Sequence, residues 1–332
     1  MPALRVVAHL DGPVCTHSRV VAEQPPSNTC GPVVEMQLGG YTRTGPKVAV
    51  IDVDGLLLNA DLTGLYSLGE NPVSLFREKL DAAAADPAVA AIVVRINSPG
   101  GGVTASDIMR RDLEVFRTRT GRPVVACLLD VGTGGAYYLA TASDAILAHP
   151  TTITGGIGVI LNLYNLREAM GYFNVRSQFI KSGPLIDMGS SAVNLSDEVR
   201  QLLQSIADEF HQRFRHTVIQ GRPSVDPKEP TTFDGRVFTA SQALERRLID
   251  RIGYLDDAVQ LARQLAQVPE GPVVVYRRRN DPAYSPYAIT PNVPLQGSPM
   301  VPFSIPGLDR TRLPSFLYLW QPEATLEKLG GR

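Results

Sequence analysis

Between residues 47 and 160, short runs of continuous apolar residues alternate with helical patterns, and this alternation restricts the fold more than any other feature. KVAVIDVDG, which starts at Lys47, is a β-branched apolar run closed by Asp-Gly, as in a buried strand. Similar runs lead up to Pro99, Asp130 and Pro150, with helical patterns between them. Strands without polar alternation need cover on both faces, which crossover helices between parallel strands provide. The residues therefore predict an α/β fold with a largely parallel sheet.

The segments on either side of this central part have a different composition. Residues 1–45 are rich in Pro, Gly, Ser and Thr and predict an irregular or partly strand-like N-terminal arm. Residues 46–268 are predicted to form the α/β domain, including a long helix from about Ser196, a good N-cap, to Ile219. Residues 269–332 are proline-rich and include the aromatic cluster FLYLWQP, so we expect a C-terminal tail that lies over the domain or a neighbour.

Charge and cysteine content exclude several classes of function. The net charge is −1, with 32 basic and 33 acidic residues, so nucleic acid is not an expected partner. The basic cluster Arg277 to Arg279 is expected to end a strand in solvent. The cysteines and histidines lack metal-ligand spacing, so we predict no metal and no cofactor. Cys127 is expected to be a buried thiol, whereas Cys15 and Cys30 allow one disulfide in an oxidising compartment.

Targeting signals are not evident in the sequence. Its apolar runs are all shorter than the about 18 consecutive residues that a membrane-spanning helix needs. Arg5, His9 and Asp11 interrupt the N-terminal residues before an apolar signal core forms, so no signal peptide is predicted. A soluble chain is the expectation from these residues.

Four stretches occur in an order that carries a family resemblance. They are INSPGGGV from Ile96, GGAYYLATASDAILAHPTTITGGIGVI from Gly134, IKSGPLIDMGS from Ile180 and GRVFTASQALERRLIDRIGYLDDAV from Gly235. One such stretch would be weak evidence, because glycine-rich turns are common. All four in order resemble the signal peptide peptidase A (SppA) family of serine peptidases in the ClpP/crotonase superfamily. The resemblance implies a ClpP/crotonase-like spiral of βαβ units with irregular extensions at both ends.

A glycine turn is the first predicted element of the site. Gly100, Gly101 and Gly102 follow a strand and precede a helix, so their N–H groups can point at a developing oxyanion. The alternative is an ordinary strand-to-helix turn. Together with Gly135, beside the nucleophile position that the resemblance implies, these glycines form the predicted oxyanion and substrate-binding set.

The resemblance also assigns the two catalytic positions of the family. The family serine precedes a Tyr-Tyr pair, here Tyr137 and Tyr138, which puts Gly134 at the nucleophile position. Glycine has no attacking oxygen. Thr133 is a weak substitute, because a shift of one residue on a helix turns the side chain by about 100°. Capping of the following helix is its alternative role.

The general base of the family is a lysine that burial keeps neutral, and the resemblance puts Ile186 at its position. Isoleucine cannot accept a proton. Lys181 and Ser182 are weak substitutes nearby, with a structural or solvent-facing role as the alternative. The loss of both the serine and its lysine indicates a catalytically inactive site. A lysine that stayed buried without the serine would cost desolvation free energy, and an apolar residue removes this cost.

The predicted function is therefore an SppA-like pseudopeptidase that keeps the peptide groove and the oligomer surfaces of its family. Its expected partners are extended apolar peptides or signal peptides, and further copies of the chain or an active paralogue in an oligomer. One alternative is an active serine or threonine peptidase of the same family. The other is a crotonase-like acyl-CoA enzyme, for which the sequence offers no specific acidic residue. Members of the family are usually membrane-associated.

Overall fold

A computed structural model describes residues 32–38, 44–60, 62–64, 67–278 and 316–320. The strands within these ranges are β1 (Val33–Gln37), β2 (Lys47–Leu57), β3 (Leu62–Gly64), β4 (Ser67–Glu70), β5 (Val89–Gly102), β6 (Val124–Thr133), β7 (Ala145–Ala148), β8 (Ile153–Gly155), β9 (Val237–Thr239), β10 (Arg251–Ile252), β11 (Val273–Arg278) and β12 (Leu317–Leu319). The α-helices are α1 (Pro72–Ala85), α2 (Val103–Thr120), α3 (Gly135–Ala140), α4 (Arg167–Tyr172), α5 (Asp197–Gly221), α6 (Ala240–Glu245) and α7 (Leu255–Ala266). Within the described ranges, no helix combines the length and apolar character that crossing a bilayer requires.

One large sheet organises the molecule. Its strands run in the order β1-β11-β2-β5-β6-β7-β10, and β8, β9 and β12 join it beside this path. Every neighbour pair from β11 to β10 is parallel, whereas β1 with β11, β8 with β9 and β12 with β5 are antiparallel. The predicted α/β fold with a largely parallel sheet is confirmed, and the arrangement is consistent with a ClpP/crotonase-like fold.

The two faces of the sheet are both covered because alternate strand residues point to opposite sides. One face packs against α7, with a core that includes Val48, Val50, Val93, Leu255 and Val259. The other face packs against α1, α2, α3 and α5, with a larger core that includes Ala49, Ile51, Phe76, Leu113, Tyr138 and Phe214. This double cover explains why the central strands read as continuous apolar runs.

Local signals set the ends of several helices. The Asn71 side chain accepts hydrogen bonds from the N–H groups of Val73 and Ser74 and so begins α1. Gly121, with φ of 66°, ends α2 in the left-handed conformation that favours glycine. The predicted N-cap of α5 is confirmed, because the Ser196 hydroxyl oxygen accepts from Val199 N–H at 3.3 Å.

Three expectations about the chain meet different outcomes. Strand β2 does not end at the Asp-Gly pair but continues to Leu57, and Gly55 takes a φ of 71° within it. Arg277 was expected in solvent and is buried, so that prediction was wrong for this residue.

Cys127 is a buried thiol as predicted, and burial raises its pKa to about 12. Cys15 and Cys30 lie outside the described residues. Strands β1, β11 and β12 come from the predicted arm and tail, whose boundaries stay predictions.

Arg277 is buried because it belongs to a cluster of charges inside the fold. Asp52 of β2 lies 3.3 Å from the Lys79 ammonium, 3.8 Å from the Arg95 guanidinium and 3.9 Å from that of Arg277. Asp54, two residues further along β2, lies 3.6 Å from Arg95. None of these side chains is more than 8% exposed, so the charges compensate one another rather than being solvated.

Asp54 makes the stability of the protein depend on pH. Burial, followed by the charge of Asp52, raises the pKa of its carboxyl to about 6. Between about pH 4 and pH 6 the folded state therefore holds a proton that the unfolded chain has released, so stability falls as pH rises through this window. Asp54→Asn removes the loss and is expected to be more stable than wild type at pH 8 by about 3 kcal/mol.

Urea denaturation at pH 4 and at pH 8 measures this effect. The two proteins are expected to converge at pH 4, where Asp54 is protonated in wild type. Asp81→Asn, which changes a half-exposed carboxylate on α1, is the matched control and should show no such convergence. A wild-type protein more stable than Asp54→Asn at pH 8 would contradict the raised pKa.

Candidate active site

Gly134 lies at a sharp turn between a strand and a helix. Strand β6 ends at Thr133, α3 begins at Gly135, and Gly134 between them has φ of 53° and ψ of −123°. Its N–H donates to the Gly155 carbonyl at 2.9 Å. Turns of this kind hold a nucleophilic side chain at the end of a parallel sheet, where a substrate can reach it. In this chain the residue at the turn is a glycine, which has no side chain.

The space beside Gly134 is filled by another part of the chain. A Cβ atom at this position would overlap the carbonyl oxygen of Tyr318 and lie 2.7 Å from its carbonyl carbon and 3.0 Å from the Leu319 nitrogen. Any side chain here would require the backbone of β12 to move, because non-bonded carbon atoms in contact stay about 3.5 Å or more apart. While β12 occupies this place, both the positive φ and the neighbouring backbone favour glycine at position 134.

Thr133 does not cap the following helix. Its side chain is buried, and its hydroxyl donates to the Pro99 carbonyl at 3.1 Å. The N-cap of α3 is Gly134, and no side-chain hydrogen bond caps this helix. The predicted capping role was wrong because β6 continues three residues beyond Asp130, where the apolar run ends, and this places Thr133 at the end of a strand. Its hydroxyl is hydrogen-bonded to Pro99 of the neighbouring strand β5.

The predicted glycine turn is extended backbone that continues β5 up to the start of α2. Gly100 and Gly101 pair with Leu56 and Leu57 of β2 on one side. Gly100 has φ of 104°, and its N–H donates to the Ser98 hydroxyl oxygen at 3.1 Å. A Cβ at Gly101 would overlap the Leu57 carbonyl oxygen. The segment approaches its neighbours so closely that only glycine fits at these two positions.

The structure brings the glycine segment and the strand-to-helix turn together. A Cβ at Gly100 would lie 2.7 Å from the Gly135 nitrogen and 3.1 Å from the Thr133 carbonyl oxygen, and a Cβ at Gly135 would overlap the Ser106 hydroxyl. Gly102 is the N-cap of α2 and has more room, with its nearest neighbours at 3.8 Å. Gly100, Gly134 and Gly135 therefore form one contiguous backbone surface.

Strand β12 lies on this surface as an antiparallel strand. Leu317, Tyr318 and Leu319 pair with Gly102, Gly101 and Gly100 respectively. The ladder continues at both ends, where Val103 N–H donates to the Phe316 carbonyl at 3.3 Å and Trp320 N–H donates to the Pro99 carbonyl at 3.2 Å. On its other edge, Leu317 exchanges two backbone hydrogen bonds with Ile160, at 2.9 and 3.0 Å. Residues 316–320 thus lie in a groove with hydrogen-bonding groups on both sides.

The side chain of Tyr318 fills an aromatic pocket under this groove. Its ring is fully buried, with its centroid 4.6 Å from that of Phe214 and 5.3 Å from that of Tyr138. Its hydroxyl donates to the Phe210 carbonyl at 2.8 Å. Burial, with the neighbouring Tyr138, raises the pKa of Tyr318. The pocket thus satisfies both the apolar ring and the polar end of a tyrosine.

The predicted base loop is in a different environment. Ile186 is 71% exposed, whereas Gly134 is buried, so within one chain the two family positions do not share a buried pocket. Lys181 is exposed and its ammonium lies 2.8 Å from the Asp187 carboxylate, a pairing that lowers the pKa of Asp187. Ser182 lies in the same exposed turn. The loop therefore offers no amine held neutral by burial.

The sequence analysis did not predict that residues 316–320 of the C-terminal tail lie in the groove. The aromatic cluster of the tail was noted, but nothing placed it at the site. The usable signal was its alternation, because Phe316, Tyr318 and Trp320 are aromatic at every second position, as in a strand with one buried face. Phe214 lies on one face of α5, where the sequence predicted only a helix.

Comparison with known proteins adds the family. The sequence model of peptidase family S49 matches residues 117–269. Protease 4 of Salmonella typhi is 32% identical over 227 residues, which cover 68% of this chain and 36% of that protein. A putative signal peptide peptidase SppA of Enterococcus faecium is 28% identical over 231 residues, 70% of this chain and 67% of that protein. A putative protease of Synechocystis is 39% identical over 176 residues, 53% of this chain and 63% of that protein.

This chain spans between about one third and two thirds of the length of these relatives. The matched range contains the strand β6, the turn at Gly134, the helix α3 and the loop with Ile186. The order of the motifs, the parallel sheet that carries them and the sequence matches agree, and this chain belongs to peptidase family S49, the family of signal peptide peptidase A.

Proposed function

We propose that this S49 member is a pseudopeptidase, which binds extended peptides without hydrolysing them. The observation that carries the proposal is Gly134, which occupies the strand-to-helix turn of a nucleophile and has no hydroxyl. Acyl transfer by a serine peptidase needs an attacking oxygen and a base that takes its proton. The Thr133 hydroxyl donates a hydrogen bond to the Pro99 carbonyl, and the Lys181 ammonium forms an ion pair with the Asp187 carboxylate.

The backbone of the groove supports peptide binding despite the missing dyad. Strand addition needs an exposed edge of N–H and C=O groups and a pocket for alternate side chains. The glycine segment from Gly100 to Gly102 and the residue Ile160 have such edges, which residues 316–320 of the same chain occupy as an extended strand, so an added peptide must displace this strand. Extended apolar peptides, including signal peptides, fit this chemistry because the pocket under the groove is aromatic.

Association with further subunits is part of the same proposal. Around the base loop, large apolar side chains lie in solvent, among them Tyr172, Phe173 and Ile180, with exposures of 88%, 75% and 106%. Exposed apolar side chains that cluster on one surface are typical of protein contacts. They support assembly with further copies of this chain or with an active paralogue.

A fluorophosphonate probe tests the absence of catalysis. The full chain is expected to take up no covalent label and to leave unfolded casein intact, because the described site holds no activated hydroxyl. Intact mass spectrometry measures the label, and gel analysis measures casein. Trypsin treated in parallel shows that the probe is reactive.

Thr133→Ala is the matched variant, because it removes the hydroxyl of the residue that precedes Gly134 and leaves Gly134 unchanged. Wild type and variant are expected to behave alike. A probe adduct on Thr133 or Ser182, with casein cleavage that disappears in the corresponding alanine variant, would instead establish an active peptidase.

A further inference from the structure

We infer that a cleft between α2 and α5 is a binding site for a chain of linked phosphate groups, as in a linear polyphosphate. The inference goes beyond the proposed peptide binding and does not depend on it. The residues that line this arginine cleft are Asp107, Arg110, Arg111, Glu114, Val115, Thr118, Arg119 and Arg213.

The arginine cleft has the size of a ligand site. Its volume is about 660 Å³, which lies within the range of about 300–1,000 Å³ that is typical of small-molecule sites. A single phosphate ion, with one central atom and four oxygens, would fill only a small part of this space. The volume therefore favours a longer anion.

The charge of the lining favours an anion in the first place. Four arginines and two carboxylates line the cleft, so four positive charges against two negative ones leave a net charge of +2. Arg111 is exposed and has no ion pair with the residues that the structure describes, so its guanidinium is available to a ligand. Guanidinium groups bind phosphate oxygens through paired, charge-assisted hydrogen bonds.

The arrangement of the arginines on α2 favours an extended anion. The lining residues of α2 form two rows with a spacing of four residues, one of Asp107, Arg111, Val115 and Arg119 and one of Arg110, Glu114 and Thr118. At about 1.5 Å per residue, Arg111 and Arg119 are about 12 Å apart along the helix axis. Linked phosphate groups can contact both arginines along the cleft, whereas a single phosphate would need both side chains to bend towards one point.

Contacts with the interior hold the partly buried residues of the cleft in place. The Asp107 carboxylate accepts hydrogen bonds from the Tyr138 hydroxyl at 2.6 Å and from the Arg213 guanidinium at 2.9 Å. Arg110 donates to the Thr141 hydroxyl at 3.2 Å, and its guanidinium carbon lies 5.7 Å from the centre of the Tyr138 ring. Two of the four guanidinium groups are therefore ordered before a ligand binds, which lowers the entropy cost of binding.

The lining also distinguishes a bare phosphate chain from a nucleotide. Among the described residues, no aromatic side chain lines the cleft. A nucleobase would therefore lack the stacking partner that proteins commonly offer to bases. The phosphate chain alone is the group that these residues recognise.

Isothermal titration of the full chain tests the ligand class. The probes are inorganic tripolyphosphate, inorganic phosphate and ATP, in metal-free buffer at an ionic strength of about 0.15 M. Wild type is expected to bind tripolyphosphate at least about 10-fold more tightly than phosphate, because the longer anion contacts more guanidinium groups. ATP should bind within about 3-fold of tripolyphosphate, because its nucleoside adds no stacking contact.

Variants on α2 locate the site, with far-UV circular dichroism to show that each is folded. Arg111→Gln is expected to weaken tripolyphosphate binding at least about 10-fold. Glu114→Gln is expected to strengthen it at least about 3-fold, because it removes a negative charge from the lining and releases Arg110 from an ion pair at 3.2 Å. Arg117→Gln is the matched control, since Arg117 lies on the same helix but pairs with Asp144 outside the cleft. It should change the affinity by less than about 2-fold.

Arg119→Gln, at the other end of the cleft, is expected to give the same loss as Arg111→Gln and replaces it if that variant does not fold. Equal weakening by Arg111→Gln and Arg117→Gln would overturn the inference, because binding would then follow the net charge of the protein. So would the absence of tripolyphosphate binding to wild type, or phosphate binding as tight as that of tripolyphosphate. ATP binding at least about 10-fold tighter than tripolyphosphate binding would overturn recognition of the phosphate chain alone. None of these results would affect the proposed peptide binding.

Discussion

Replacing Asp52 by asparagine is expected to lower the free energy of unfolding by about 3–5 kcal/mol, which is the range for breaking a buried ion pair. The carboxylate lies within 4 Å of Lys79, Arg95 and Arg277, and each of these side chains is at most 1% exposed. The variant leaves three buried cations with Asp54 as the remaining carboxylate of the cluster. Chemical denaturation at pH 7 measures the loss.

Asp81→Asn is the matched control for this variant. Asp81 is 51% exposed and pairs with Arg77 at 2.9 Å, so its removal should change the free energy of unfolding by less than about 0.5 kcal/mol. A loss below about 1 kcal/mol for Asp52→Asn would contradict the assignment of Asp52 as the central anion of the cluster.

The charge cluster also affects the groove, because it lies on the strands that form the groove. Asp54 pairs in register with Asn97 of β5, and three positions further on Gly100 pairs with Leu56. The backbone that pairs with residues 316–320 is thus part of β5, which carries Arg95 of the charge cluster and pairs with β2. Loss of Asp52 is therefore expected to disturb the glycine segment together with the core.

The α/β architecture was predictable because its determinants are local. Apolar runs of strand length and helical periods follow one another along the chain. Ser196, followed by two acidic residues, is a local signal for the start of a helix. The burial of Arg277 was not predictable in this way. Its partner Asp52 lies more than 200 residues away, and only the parallel pairing of β11 with β2 brings the two together.

For the candidate site, the sequence predicted the position of Gly134 but not the position of Tyr318. The motif register placed Gly134, and the structure shows a glycine at a strand-to-helix turn, with a backbone that excludes any Cβ. The role of Tyr318 was hidden from the sequence, since its pocket is formed by Tyr138 and Phe214 from two distant helices. A short apolar strand can be recognised by its alternation, but its partner strand cannot.

Gly134→Ser combined with Ile186→Lys is expected to convert an inactive protein into a peptidase, at least about 100-fold more active than either single variant. The serine supplies the attacking oxygen at the strand-to-helix turn. Because positions 134 and 186 do not share a pocket within one chain, the amine that takes its proton is expected to come from the lysine at position 186 of a neighbouring copy in the proposed oligomer. The bond between Tyr318 and Leu319 is the nearest substrate, once β12 has moved to accommodate the new Cβ. Water is added across this bond, which gives a carboxylate on Tyr318 and an amine on Leu319.

Intact mass spectrometry measures this reaction as the loss of residues 319–332. The peptide SFLYLFQ, which copies residues 315–321 with phenylalanine in place of Trp320, measures it in trans as cleavage after its tyrosine. Gly134→Ser with Met188→Lys is the matched control, because it places the lysine two residues away on the same exposed loop. This control is expected to be inactive, since proton transfer requires the amine within hydrogen-bond reach of the serine. Equal cleavage by Gly134→Ser alone would contradict the assignment of position 186 as the base position, and cleavage by the unaltered protein would contradict the pseudopeptidase.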